Sequence, residues 1–151
     1  MIKAKDIMTK NPITVTPDME IVNAAKTLLE NRINGVPVLE KGKLIGILCQ
    51  SDLISQQKRL PMPSVFTILD GFIPLKSNKE LEKTVKKIAA TVVRDAMTTD
   101  PVTVSPDTDI EEIAGLMIDK GFHTIPVVEK GKLAGVIGKE DVLKTLIPSQ
   151  G

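Results

Sequence analysis

Apolar residues fall at Ile21, Ala24, Ala25, Leu28 and Leu29. Steps of three and four along a polar background predict an amphipathic helix with one apolar face. Just upstream, "PITVTPD" is a short β-branched run between prolines and predicts a brief extended segment. Thr16 before Pro17 predicts where the helix starts, with a hydroxyl N-cap and proline in the first helical position. Asp18 and Glu20 then suit the positive end of the helix dipole. Downstream, "GVPVLE" is an unbroken apolar run of strand length, "KGK" is a turn centred on glycine, and "LIGILC" returns the chain. Together they predict a hairpin. A second helix opens at "SDLISQQ", so the predicted order is β-α-β-β-α.

The whole pattern then recurs. Val36 reappears as Ile125 and Asp6 as Asp95, a constant offset of 89 residues. "DIMTKNPITVTPD" from Asp6 matches "DAMTTDPVTVSPD" from Asp95 without a gap, and "VPVLEKGKLIG" matches "IPVVEKGKLAG". In the second copy Ser105 and Pro106 mark the helix start, followed by Asp107, Asp109, Glu111 and Glu112. Ile110, Ile113, Ala114, Met117 and Ile118 supply the helical face, and "KEDVLKTL" opens the second helix. The repeated unit spans about residues 5–54 and 94–143. Two copies are too few for a solenoid and predict two half-domains packed on each other. The chain divides into a first repeat at 1–60, a connecting segment at 61–90 and a second repeat at 91–151.

The connecting segment reads differently from the copies. Pro61, Pro63 and Pro74 constrain its first half, and "SVFTILDGFIPL" is apolar, with Phe66, Leu69 and Phe72. "NKELEKTVKKIAATVV" predicts an amphipathic helix with Leu81, Val85, Ile88 and Ala89 on one face. Two readings stand: a plain connection between the copies, or a dimerisation or ligand-gating element whose apolar stretch marks an interface.

The order of elements and the letters themselves resemble the cystathionine-β-synthase (CBS) domain family. Each copy carries Asp-x-Met-Thr, Thr-Val-x-Pro-Asp, a Pro-Val strand, Gly-Lys-Leu-x-Gly and an Asp six residues later, covering about two thirds of the chain. The resemblance implies an α+β fold. In it two β-α-β-β-α repeats pair through their sheets with pseudo-two-fold symmetry, one covering the apolar sheet face of the other. Such a pair is called a Bateman module.

The resemblance also implies a ligand. In this family the clefts between copies often hold an adenine nucleotide or a related adenosyl compound. The family pattern Gly-h-x-Ser/Thr-x-x-Asp, with h apolar, is met at its Asp by Asp52 and Asp141. A carboxylate suits ribose hydroxyls because it only accepts hydrogen bonds. The same Asp also stands where an acidic residue stabilises a helix start, and both roles can hold together. The hydroxyl of the pattern is replaced by Cys49 and by Gly138, which weakens the case for strong phosphate binding. Ser51 in the first site and Lys139 in the second are substitutes. By the same resemblance the adenine slot would be walled by Ile33, Asn34 and Val36, and by Phe122, His123 and Ile125. The opposite wall would come from Ile2, Lys3 and Ala4, and from Thr91, Val92, Val93 and Arg94. The apolar members of this set read equally as core. Relatives often carry His-Arg before the strand, whereas this chain has His123-Thr124 and Asn34-Gly35. The missing arginine favours a ligand with fewer phosphates or a cationic one such as S-adenosylmethionine. Lys5 and Arg94 either face phosphate or are solvated charges.

Composition narrows the classes. Net charge is +1, which argues against a dedicated nucleic-acid or anionic-membrane binder. Aromatics are 2%, too few for a base-stacking platform. No run of about 18 apolar residues appears, so no membrane span is expected. The single cysteine fits a reducing compartment, and a soluble cytoplasmic protein is the expectation. With one His, one Cys, no metal-ligand spacing and no nucleophile motif, an enzyme is not expected, nor an obligatory cofactor. What remains is a regulatory module that senses AMP, ADP, ATP or S-adenosylmethionine and signals to an effector protein, with a homodimer as the expected assembly. The alternative is a structural interaction module with vestigial clefts.

Overall fold

The computed structural model describes residues 1–59 and 91–147. The readings of Phe66, Leu69, Phe72 and the 78–93 helix fall wholly or mostly on residues 60–90, outside the described residues. The first copy runs α1 (Ala4–Ile7), β1 (Thr9–Lys10), α2 (Ile21–Glu30), β2 (Gly35–Glu40), β3 (Lys43–Cys49) and α3 (Gln50–Arg59). The second runs α4 (Val93–Ala96), β4 (Thr98–Thr99), α5 (Ile110–Lys120), β5 (Thr124–Glu129), β6 (Lys132–Gly138) and α6 (Lys139–Lys144). The fold is α+β, with two three-stranded sheets.

Each predicted hairpin forms. Lys41-Gly42 and Lys130-Gly131 all have positive φ, 51° and 79° in the first pair and 50° and 76° in the second. That is the signature of a two-residue type I′ turn, whose twist matches the flanking strands. Glu40 pairs with Lys43 and Glu129 with Lys132 across these turns. The interior faces are Val36, Val38 and Leu48 in one sheet and Ile125, Val127 and Ile137 in the other.

The short first strands do not stay with their own copies. β1 pairs antiparallel with β6, and β4 pairs antiparallel with β3, so each copy lends its leading strand to the other's sheet. The exchange extends upstream. Ala4 N–H donates to Thr108 O (2.8 Å), and Ile110 N–H donates to Ile2 O (3.1 Å). At the symmetric place Val93 N–H donates to Met19 O (2.9 Å), and Ile21 N–H donates to Thr91 O (3.0 Å). Ala4 is buried in the core of the second copy, beside Val104, Ile113, Ile125, Val127 and Ile137. Val93 is buried in the core of the first, beside Val15, Ile21, Ala24, Leu28, Val36, Val38 and Leu48. Each core is therefore completed by the other copy.

The exchange explains where local expectations shift. "PITVT" and "PVTVS" contribute only the parallel bridges Val15–Val38 and Val104–Val127, while the paired strands lie just upstream of them. The helices begin at Ile21 and Ile110, not at Pro17 and Pro106. Thr16 and Ser105 instead open turns, with Met19 N–H donating to Thr16 O and Thr108 N–H to Ser105 O. Glu20 is held extended by its antiparallel bridge to Val92, so the helix cannot start before residue 21. The buried stripe of α2 is Ile21, Ala24 and Leu28. Leu29, expected on that face, is 54% exposed, and its counterpart Ile118 is 80% exposed. Both lie on the flank of the stripe rather than over it.

Two glycines permit the exchange. A Cβ on Gly135 would lie 2.7 Å from Thr9 O, and one on Gly46 would lie 2.8 Å from Thr98 O. Any side chain there collides with the visiting strand. The two hairpins also meet directly, β2 against β5 and β3 against β6. A Cβ on Gly35 would come within 3.2 Å of Thr124 Oγ1, which shows how closely they approach. Among the described residues no helix is long and apolar enough to cross a membrane.

Candidate functional site

Asp52 stands in the first turn of α3. Its Oδ2 accepts a hydrogen bond from Cys49 N–H at 2.8 Å, which satisfies one of the donors a helix start leaves without an intrahelical partner. Its Oδ1 accepts from Thr98 Oγ1 at 3.2 Å. Thr98 belongs to the visiting strand β4, so the carboxylate joins both copies. Asp141 repeats the local contact, with Gly138 N–H donating to its Oδ2 at 2.8 Å. Asp6 and Asp95 do the same for Lys3 N–H and Val92 N–H. The helix-start role expected for Asp52 and Asp141 is therefore realised with one oxygen of each, and Asp6 and Asp95 fill the same role, which sequence alone did not assign them.

Around Asp52 lies a cleft of about 290 Å³. Its first-copy side is Ile47, Cys49, Ser51 and Asp52. The second copy contributes Thr98, Asp100, Pro101 and Val102 from β4 onward, and Gly121, Phe122, His123, Thr124 and Pro126 at the entry to β5. The volume sits at the lower edge of the range typical of small-molecule sites, ~300–1,000 Å³. Ile47, Val102, Phe122 and Pro126 make apolar walls, and Asp52, Ser51, Thr98 and Thr124 offer polar groups among them.

Six residues named from the sequence meet here: Cys49, Ser51, Asp52, Phe122, His123 and Thr124. Ile33, Asn34, Gly138 and Asp141, counterparts of these by the 89-residue offset, and Lys139 are not among the residues lining this cleft. In each copy the end of the hairpin is closed against the next helix, with Gln50 N–H donating to Asn34 O and Lys139 N–H donating to His123 O. Ala4, Val36, Val93 and Ile125 are fully buried in the two cores. Lys3 makes an antiparallel bridge to Asp109. Lys5 pairs with Asp107 (3.2 Å) and Arg94 with Glu40 (2.6 Å), both exposed ion pairs between one copy's leading segment and the other copy. The hydrogen bond and charge of Glu40 raise the Arg94 pKa above its ordinary value.

Thr98, the threonine of Asp-x-Met-Thr, lines the cleft with Asp100, Pro101 and Val102, although sequence alone assigned none of them a site role. They follow Asp-x-Met directly, and only the strand exchange carries them to the first copy's Asp52.

Cys49 occupies the position of the family hydroxyl. Burial, and then the Asp52 carboxylate, push its thiol up to about 11. Since the thiolate is the nucleophile, Cys49 is expected to react slowly with iodoacetamide near neutral pH and faster as pH climbs toward that value. Alkylation rates followed by mass spectrometry across a pH series check this. A rate that levels off near pH 8 would contradict it. Among the described residues no group of three or more His, Cys, Asp or Glu could hold a metal ion.

Comparison with known proteins agrees with this architecture. The CBS domain family model matches twice, over residues 4–59 and 93–148. An uncharacterized protein of Methanocaldococcus jannaschii is 34% identical over 95% of this chain and 90% of its own length. A zinc metalloprotease of the same organism is 35% identical over 96% of this chain, which spans only 32% of that protein. Among solved structures, CBSX2 in complex with AMP superimposes with a TM-score of 0.73 at 26% identity, covering 97% of each chain. The chain belongs to the CBS domain family and is a tandem CBS pair.

Proposed function

We propose that this CBS pair is a regulatory module that binds an adenosine-containing ligand in the Asp52 cleft and passes the occupancy on to a partner protein. One observation carries the reading. Asp52 holds one oxygen in the fold and turns the other toward a cleft built jointly by both copies. A ribose hydroxyl that displaces Thr98 Oγ1 gains a charge-assisted hydrogen bond. The apolar walls suit a purine ring, and the cleft volume suits one nucleoside rather than a dinucleotide. The complex of CBSX2 with AMP supports the ligand class. Because the lining comes from both copies, occupancy bears on how they sit together, and a ligand shifts that equilibrium only through its differential affinity for the two arrangements. We read the module as non-catalytic. Its output surface is the set of exposed apolar residues at equivalent helix positions, Leu29 with Ile118 and Ile54 with Leu143, on which a second copy or an effector docks.

The test is thermal unfolding against adenosine, AMP, ADP, ATP and S-adenosylmethionine. A ligand at a hundred times its dissociation constant adds about 2.7 kcal/mol. For a chain of this size that is a midpoint rise of roughly 5–10 °C. The rise should vanish in Asp52→Ala, judged against that variant's own unliganded midpoint because the helix-start hydrogen bond is lost as well. Loss in Asp141→Ala alone would move the working site to the symmetric cleft. No rise with any adenosine compound would favour the scaffold reading, which the replacement of the family hydroxyl by Cys49 already recommends as the alternative.

A further inference from the structure

The two copies differ in charge at several positions beside their clefts. The Asp52 cleft is lined by two carboxylates, Asp52 and Asp100, and by no Lys or Arg among its described lining residues. At the position equivalent to Asp100 the first copy has Asn11, and at the position equivalent to Gly121 it has Arg32. Asp100 has φ 50° and Asn11 has φ 53°, so both hold the same left-handed backbone conformation. That conformation is uncommon outside glycine, and Asn and Asp are the residues that tolerate it best. The backbone geometry therefore accepts either residue, and geometry alone does not require the charge.

We propose that Asp100 is a specificity-determining residue, a charge filter that keeps phosphorylated adenosine compounds out of the Asp52 cleft and selects ligands whose 5′ substituent is neutral or cationic. The proposal rests on the adenosine reading above and narrows it. A ribose held by Asp52 projects its 5′ substituent within the same small cleft. Each phosphate there adds negative charge near two carboxylates, with no arginine or lysine, and one histidine, His123, among the described lining residues to offset it. Asp100 is exposed and Asp52 half-buried, and like charges gathered in one small cleft repel, most strongly at low salt. A 5′-thioether or sulfonium substituent avoids the repulsion, and a cation gains from it.

The test compares the wild-type chain with Asp100→Asn, the residue its own first copy carries at the same backbone conformation. Calorimetric titration with adenosine and with ATP gives the ratio of the two affinities. In wild type adenosine should win by at least about tenfold, and Asp100→Asn should shrink that ratio by about tenfold. Equal affinities in wild type, or a ratio unmoved by the substitution, would overturn the filter. A second arm needs no nucleotide. Cys49 lines the same cleft and is the chain's single cysteine. The thiolate displaces iodide from anionic iodoacetate and from neutral iodoacetamide alike, so the ratio of the two rates reports the local potential and any change in thiol pKa cancels. Asp100→Asn should raise the iodoacetate-to-iodoacetamide ratio about threefold at low salt and less at high salt. An unchanged ratio rejects the filter. If no adenosine compound binds while the alkylation ratio rises, Asp100 repels anions from the cleft, but the adenosine reading falls and the filter on adenosine compounds falls with it.

Discussion

Gly135→Val is expected to destabilise the protein by about 3 kcal/mol or more, lowering the thermal midpoint by roughly 6–12 °C. The added Cβ would meet Thr9 O at 2.7 Å and Met8 Sδ at 2.8 Å. The sulfur sits at the end of a flexible side chain, but the carbonyl belongs to the backbone of β1, and β1 can yield only by leaving β6. Departure of the strand breaks the Thr9–Val136 and Lys10–Gly135 pairing. It also pulls on Ala4, which is fully buried in the second core. Gly115 supplies the control. It lies inside α5, where an added Cβ would meet nothing nearer than Asp119 Oδ2 at 4.0 Å, so Gly115→Ala should gain about 1 kcal/mol from helix propensity. Urea unfolding of both variants separates the readings. If Gly135→Val were as stable as wild type, the exchanged strand would contribute little to the fold.

Val93→Asp is the second large effect. Val93 is fully buried, against residues of the first copy. A carboxylate at that place has no cationic partner among its core neighbours, and burying an unpaired charge is among the few single changes that cost more than about 4 kcal/mol. Against a usual total of about 5–15 kcal/mol, the variant should be largely unfolded or close to it. Val93→Ala, which removes two methyl groups, should cost about 1–3 kcal/mol and leave a folded protein to study. In that milder variant, amide hydrogen exchange should speed up most in α2, which belongs to the other copy, rather than in α5. Loss of protection confined to α5 would contradict the crossed packing.

Local periodicity made much of this fold legible. The stripe Ile21, Ala24, Leu28 and the run "GVPVLE" each report their own environment, and the Lys-Gly turns carry their conformation in two letters. The 89-residue offset announced two copies. The strand exchange was not legible, because Thr9-Lys10 and Thr98-Thr99 are short, polar and exposed, and their pairing depends wholly on what lies opposite. The true helix starts were hidden for the same reason, since the residue that delays α2 is Val92 of the other copy. A hint lay in the glycine repeated at 46 and 135 within otherwise apolar strands, a sign of close backbone approach. The site followed suit. Asp52, Cys49 and Ser51 were visible as a local pattern, and Phe122, His123 and Thr124 through the family resemblance. Asp100 and its neighbours were not, since only the exchange brings them to Asp52.

The crossed packing also bears on how the chain can be cut. Residues 1–59 carry Ala4, which completes a core they do not contain, and residues 91–147 carry Val93 in the same way. A chain severed between residues 60 and 90 would yield two fragments, each with an unfilled gap in its own interior and a plug for the other's. Mixed together, they should reassemble without a covalent link, making the protein a natural split reporter whose halves are held by reciprocal insertion.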